Sequence, residues 1–173
     1  MIQLSFQPAF DPFHAVYRFL RLFPIIRRLG GLHRDQVRIL DYYVLFPHRL
    51  SSVRFMQQHR RCKSLGKKYS DQKPYGEQPE DRSLFDRMEP MQMAAFQTLA
   101  TSGLIDPSAL LVGRVEVTDL PLPAGLEDRI EAANREDEAL MDCLGVLASE
   151  YTLAGANGLK DRTGLLEHRY DAI

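Results

Sequence analysis

Residues 88–117 read MEPMQMAAFQTLATSGLIDPSALLVGRVEV, and this stretch decides the predicted fold. Its apolar side chains recur at spacings of three and four, which places them on one face of an α-helix. They are Met88, Met91, Ala94, Ala95 and Leu99. The pattern therefore predicts a partly buried helix over the first half of the stretch.

The two ends of that helix and the segment after it carry further signals. Pro90 suits the first helical turn, where an N–H has no intrahelical partner. Gly103 can adopt the left-handed conformation that ends a helix. Residues 111–117 then alternate valine with charged side chains, which predicts a strand or hairpin. Helix, glycine turn and β-branched strand form the second half of a winged-helix unit, a pattern that favours a binding module over a catalyst.

Two helices are predicted upstream of this unit. Asp11-Pro12 is a helix start, because Asp is a good N-cap and Pro fits the next position. An aromatic and aliphatic stripe follows it, and Gly30-Gly31 ends this helix. A second helix begins near His33 and closes at Phe46-Pro47, where the chain turns into a short basic helix that reaches about Gln58. These elements would supply the first half of a winged helix.

Downstream, Pro121 and Pro123 mark a linker before a long acidic helix, predicted from about Leu126 to Tyr151. Its apolar stripe is close to a heptad pattern, with one polar position at Asp137. The predicted fold is mainly α with a small β-hairpin: a winged-helix-like core flanked by an N-terminal amphipathic helix and a long C-terminal helix.

We assign the chain to one domain, 1–173. Its parts are N-terminal helices (1–56), a basic polar loop or arm (57–80), a helix with a wing-like hairpin (81–120), and the long acidic helix with a charged tail (121–173).

Charge is divided along the chain although the net charge is −1. Residues 1–73 hold 14 Lys and Arg against 4 Asp and Glu, whereas residues 74–173 hold 8 against 19. In one interpretation the two halves fold together and neutralise each other. In the other, one face meets nucleic acid or an acidic partner and the other face meets a basic one.

The predicted arm, QQHRRCKSLGKKYSDQKPYGEQPE, contains a basic run that could bind phosphate through charge alone. The candidate nucleic-acid-binding residues are Arg60, Arg61, Lys63, Lys67, Lys68 and Lys73. Tyr69 and Tyr75 lie between the cations and could stack on bases. The alternatives are a solvated loop, or a loop that docks on an acidic surface elsewhere in a complex.

Motifs for catalysis and metal binding are missing from the sequence, which favours a non-enzyme without a cofactor or a small-molecule substrate. We find no phosphate-binding loop, no nucleophile elbow and no metalloprotease motif. His59 and Cys62 have no second ligand pair, so a structural zinc site is rejected. Cys62 and Cys143 are expected to be reduced thiols of a cytoplasmic protein, Cys143 as a small buried apolar residue. No apolar run is long enough to span a membrane.

Four segments together resemble the middle components of bacterial ABC-three-component systems. They are FQPAFDPFHAVYRFLRLF, ILDYYVLFPHRLSSVRF, MEPMQMAAFQTLATSGLID and NGLKDRTGLLEHRYD. The resemblance covers most of the chain in order, with the polar insert between Gln57 and Glu80 outside it. Such proteins are encoded with an SMC-like ATPase and an effector in Lamassu-type anti-phage defence.

The resemblance implies a non-catalytic subunit that bridges an SMC-like ATPase and a nuclease-type effector acting on invading phage or plasmid DNA. The protein would touch DNA, if at all, through the assembled complex. Residues of the first helix and of the charged tail are the candidate partner-binding positions: Phe13, Tyr17, Lys160, Arg162, Glu167, Arg169 and Tyr170. The alternative is a stand-alone winged-helix DNA-binding regulator. A small enzyme of unrecognised type is the third hypothesis.

Overall fold

The computed structural model describes residues 8–72 and 79–167, and this part of the chain is mainly helical. Its α-helices are α1 (Pro12–Arg28), α2 (Arg34–Leu45), α3 (Arg60–Lys68), α4 (Asp81–Thr101), α5 (Pro107–Leu111), α6 (Ala124–Glu136), α7 (Glu138–Glu150) and α8 (Leu159–Thr163). Its strands are β1 (Leu32–His33) and β2 (Arg114–Val115). Short 3₁₀-helices cover Pro8–Phe10, Pro47–Ser52, Gln57–His59 and Tyr69–Gln72.

Helix α1 begins and ends where the sequence predicts. The Asp11 carboxylate caps it by accepting hydrogen bonds from the backbone N–H groups of Phe13 and His14, at 2.8 and 3.2 Å. Gly30 and Gly31 follow the helix with φ of +68° and +105°, values that glycine adopts without a steric cost. Pro24 lies inside the helix and does not end it.

Helix α2 is likewise confirmed, and its N-terminus is closed by a capping box. The His33 ring accepts from the Asp35 N–H, while the Gln36 side chain accepts from the His33 N–H. After Phe46 the chain forms two separate 3₁₀-helices, where the sequence predicted one short helix from Pro47 to Gln58.

Helix α4 starts earlier than predicted. It begins at Asp81, so Pro90 lies in its interior and not in its first turn. The missing N–H of Pro90 leaves one carbonyl of the preceding turn without its helical donor, yet buried Phe85 and Met88 hold that turn in the core. The other end is as predicted, because Gly103 has a φ of +76°.

The small sheet joins distant parts of the chain. Strands β1 and β2 pair antiparallel, with Leu32 opposite Val115. Val117 also forms an isolated antiparallel bridge to Ile105, and α5 lies between these two residues. Of the strand predicted over residues 111–117, Arg114–Val115 are therefore confirmed, whereas Leu111 is the last residue of α5. Strand β2 pairs with β1 and not with a neighbouring strand of a simple hairpin. In place of the predicted hairpin there is one bridge, between Ile105 and Val117, which encloses the short helix α5.

The hydrophobic core lies where α1 packs against α2, α4 and α6, and where α7 packs against α2. The rings of Phe19 in α1 and Phe96 in α4 meet with centroids 4.4 Å apart. Tyr42 of α2 contacts the edge of Phe85, at 5.8 Å between centroids. All of these aromatic side chains are buried, which agrees with a packing role for the predicted stripes.

The predicted long C-terminal helix is two helices. It breaks at Asp137, whose φ of −103° and ψ of 28° leave the helical region. The carboxylate of Asp137 accepts from Arg21 at 2.8 Å and from the Tyr69 hydroxyl at 3.4 Å. The one polar position in the apolar stripe is thus a junction between α6, α7 and α1.

The segment predicted as a basic loop or arm contains helix α3, and the cysteines are not free thiols. Cys62 of α3 and Cys143 of α7 form a disulfide across 81 residues of sequence, with Cα atoms 5.6 Å apart. Both residues are buried. Sequence reasoning missed the bond because the two cysteines are adjacent only in the folded chain.

Candidate interaction surfaces

Helix α3 presents a basic face to solvent, which we call the α3 surface. It consists of the exposed side chains of Arg60, Arg61, Lys63, Lys67 and Lys68. Helix α3 carries no acidic residue. Among residues 8–72 and 79–167, none of these five cations forms an ion pair. The sixth predicted residue, Lys73, lies outside the described residues, as does Tyr75.

The inner side of α3 is held by two close contacts. A Cβ atom added to Gly66 would lie 2.4 Å from the Ser51 backbone nitrogen, so only glycine allows this approach to the 3₁₀-helix Pro47–Ser52. The disulfide of Cys62 ties the same side of α3 to α7. The five cations are therefore displayed by an anchored helix.

Tyr69 does not take the stacking position that the sequence suggested. It is half-buried, and its hydroxyl donates to Asp137. Burial, with Asp137 nearby, raises the pKa of Tyr69 above its usual value. The described part of the α3 surface therefore offers charge to a ligand without an exposed aromatic ring.

Elsewhere, arginines of the first half are neutralised by acids of the second half. These ion pairs are Arg21–Asp137 at 2.8 Å, Arg38–Glu89 at 2.9 Å, Arg54–Asp161 at 2.8 Å, and Arg49–Asp81. The interpretation that the halves fold together thus holds for α1, α2 and the segment after α2. It does not hold for α3, whose cations remain available to a ligand.

A buried polar network joins α1, α2 and α4. The Arg18 guanidinium donates to both carboxylate oxygens of Asp41, at 2.6 and 3.2 Å. The Gln92 amide donates to the same carboxylate at 2.9 Å, and its oxygen accepts from Arg38 at 3.0 Å. Each charged group of this network has a partner, so the network holds the three helices together.

Burial also shifts the pKa values of two tyrosines of α2 that follow Asp41 in the chain. It raises the pKa of Tyr42 and of Tyr43 well above the usual tyrosine value, and the nearby Asp81 carboxylate raises both further. Both phenols are neutral at physiological pH. Among residues 8–72 and 79–167, no three His, Cys, Asp or Glu side chains are grouped so that they could hold a metal ion.

The predicted partner-binding residues are dispersed. Phe13 is 83% exposed on α1, whereas Tyr17 is half-buried. In the tail, Lys160 lies 3.8 Å from Asp35, Arg162 covers the ring of Tyr151, and Glu167 pairs with Arg82 at 3.2 Å. Arg169 and Tyr170 lie outside the described residues. The charged side chains of the described tail contact the rest of the domain and hold α8 on it. The side chain of Phe13 is exposed to solvent.

The structure adds one surface that the sequence did not reveal, which we call the α4–α5 groove. It has a volume of about 420 Å³ and is lined by Arg34, Met93, Phe96, Gln97, Ala100, Pro107, Leu110 and Leu111. Leu111 and its neighbour Val112 are 89% and 75% exposed. In the sequence, Leu111 and Val112 form an adjacent aliphatic pair before Gly113. This pair could have indicated an exposed apolar surface, but we assigned it to a strand.

Within the described part of the chain, no helix combines the length and the apolarity that crossing a membrane requires.

Comparisons with known proteins match almost the whole chain to one family. The model of the family described as ABC-three component (ABC-3C) system Middle Component 5 matches residues 4–171. Neither the curated proteins nor the solved structures contain a match.

Proposed function

Because the chain belongs to the Middle Component 5 family of ABC-three-component systems, we propose that it is a non-catalytic bridging subunit of a Lamassu-type anti-phage defence complex. Membership indicates a bridging or adaptor role in a system of several components, and therefore protein partners. In our proposal the partners are an SMC-like ATPase and a nuclease-type effector that acts on invading phage or plasmid DNA. The family match is the observation that carries this proposal.

The topology supports a winged-helix core for this subunit. Strand β1 lies between α1 and α2, and it pairs with β2, which follows α4. The bridge between Ile105 and Val117 takes the place of the wing hairpin, with α5 at its tip. In this interpretation α4 is the counterpart of a recognition helix, and α3 belongs to an insertion between the second and third helices of the core.

The surface of α4 argues against the alternative of a DNA-binding regulator. Its last three turns expose Ala94, Gln97, Thr98 and Thr101, and none of these is cationic. Sequence-reading helices rely on Arg and Lys for base and phosphate contacts. A cluster of five cations, unpaired among the described residues, lies on the α3 surface instead, so we propose that α3 faces DNA within the assembled complex.

The test is purification of the tagged full-length chain expressed from its own genomic neighbourhood, followed by mass spectrometry. We expect stoichiometric recovery of a long coiled-coil ATPase and of a nuclease-type chain. A chain that is recovered as a monomer or homodimer without either of them would refute the bridging role. The regulator would then be the leading interpretation.

The DNA-facing role of α3 is tested on the purified complex. Charge reversal at Arg60, Arg61, Lys67 and Lys68 should weaken duplex DNA binding and flatten its salt dependence, because each lost phosphate contact removes about one unit from the slope. The matched control reverses Arg129 and Arg135, two exposed arginines of the acidic helix α6. If the complex with the α3 variant binds duplex DNA as tightly as the wild type, the α3 surface does not contact DNA.

A further inference from the structure

The α4–α5 groove combines exposed aliphatic side chains with an unpartnered cation. Phe96 and Ala100 form its floor on α4, while Leu110 and Leu111 form its rim on α5. Leu111 and Val112 place two large aliphatic side chains in water beside an apolar cleft. Adjacent exposed aliphatics beside a cleft indicate an interaction site, whereas single ones do not.

Arg34 gives the groove its polarity. Its Nε atom is buried without a hydrogen-bond acceptor. Among residues 8–72 and 79–167, no carboxylate pairs with its guanidinium. A buried N–H of a charged group without an acceptor is unfavourable. The Arg34 side chain is partly exposed in the groove, so a ligand that enters the groove can supply a carboxylate to the guanidinium.

The residue types also distinguish the class of ligand. A nucleic-acid site needs several cations, whereas the described lining of this groove holds Arg34 alone among methionine, phenylalanine, leucine and alanine side chains. Apolar surface with an arginine is typical of the centre of a protein interface. A cleft between two helices accepts an amphipathic helix, whose apolar residues at positions i and i+4 enter it side by side.

We infer that the α4–α5 groove binds an amphipathic helical segment of one of the other two components of the system, with an Asp or Glu of that segment paired to Arg34. This inference rests on the proposed function, because it assigns the occupant to the same complex. It places a protein partner on the winged-helix face that would meet DNA in a regulator.

The experiment measures binding of each purified second component to the full-length chain and to three variants. Leu111→Asp/Val112→Asp should weaken binding of one component at least tenfold, because it places carboxylates in the apolar rim. Arg34→Gln should weaken the same component and reduce the salt dependence of its binding. Leu120→Asp changes another exposed leucine, 49% exposed and outside the groove, and should bind as the wild type does.

A photo-crosslinking residue at position 111 identifies the occupant directly. The expected product joins position 111 to a segment of that component with apolar residues at i and i+4 and a neighbouring acid. Equal binding by wild type and the Leu111/Val112 variant overturns the inference and leaves the bridging role intact. Crosslinking to a second copy of this chain also overturns it. A wild-type chain that binds neither component overturns both proposals.

Discussion

The buried pair of Arg18 and Asp41 allows a quantitative test of how α1 and α2 are held together. Asp41 is fully buried and Arg18 is 5% exposed, so neither charge is solvated by bulk water. In Arg18→Met, the hydrogen bond that Asp41 keeps within the described part of the chain comes from Gln92, at 2.9 Å. Removing one partner of a buried ion pair costs about 3–5 kcal/mol, because the other charge is left uncompensated.

The reverse variant makes the same argument from the other side. Asp41→Leu leaves the Arg18 guanidinium with the Pro8 carbonyl, at 3.1 Å, as its hydrogen-bond acceptor. We expect a loss of similar size. In the double variant Arg18→Met/Asp41→Leu both charges are gone, and apolar groups of similar volume fill the space. Such replacements are often close to neutral, so the double variant should be at least about 2 kcal/mol more stable than either single one.

The assay is urea unfolding at neutral pH, followed by circular dichroism, with the slope against denaturant checked for each variant. For a chain of this size a loss of 3–5 kcal/mol lowers Tm by about 6–20 °C. Arg129→Met, at an exposed position of α6, is the control and should change stability by less than about 0.5 kcal/mol. A double variant no more stable than the single ones would refute the reasoning that an uncompensated buried charge is the cause.

Three further predictions concern α3 and the buried tyrosines. Gly66→Ala should destabilise the protein by about 1–3 kcal/mol in the same assay, because its Cβ would overlap the Ser51 backbone; Gly125→Ala, with open space around it, should not. Cys62→Ser, or reduction by dithiothreitol, should lower the free energy of unfolding by about 4.5 kcal/mol. This is the loop-entropy value for a disulfide that joins residues 81 positions apart. An unchanged urea midpoint after reduction contradicts this prediction. Since burial raises the pKa of Tyr42 and Tyr43 in the folded state, the stability they contribute is complete below about pH 10 and is lost above it, where the unfolded phenols ionise. The expected slope is about 2.7 kcal/mol per pH unit for the two groups, and Tyr42→Phe should halve it.

Local features of this fold could be predicted from the sequence because their causes lie within a few residues. The Asp11 cap, the His33 boundary and the end of α4 at Gly103 each depend on one turn of backbone. The mainly helical class follows from apolar spacing in the same way. The start of α4 was misplaced because proline is common in the first turn of a helix, and packing of Phe85 and Met88 overrides that preference in this chain.

The features that sequence reasoning missed depend on contacts between distant residues. The segment that contains Gly66 was predicted as a loop or arm, but Gly66 allows helix α3 to approach the backbone of Ser51. Cys62 finds Cys143 through the packing of α3 on α7. The α4–α5 groove likewise needs Arg34 of α2 to lie beside residues more than 50 positions away. None of these contacts between distant residues produces a pattern within a short stretch of sequence.

The α3 surface and the α4–α5 groove lie toward opposite ends of α2, and this separation bears on how a bridging subunit works. Arg34, in the groove, is the first residue of α2, while α3 packs on the 3₁₀-helix Pro47–Ser52 that follows its last turn. A helix of 12 residues is about 18 Å long, so two ligands can bind without sharing contacts. The buried network of Asp41 and Arg38 fixes α2 against α1 and α4 between them. Charge reversal on α3 should therefore leave the affinity of the groove's partner within about twofold. Arg18→Met loosens α2 itself and should weaken both interactions. Loss of the groove's partner in the α3 variant would mean that one ligand spans both surfaces.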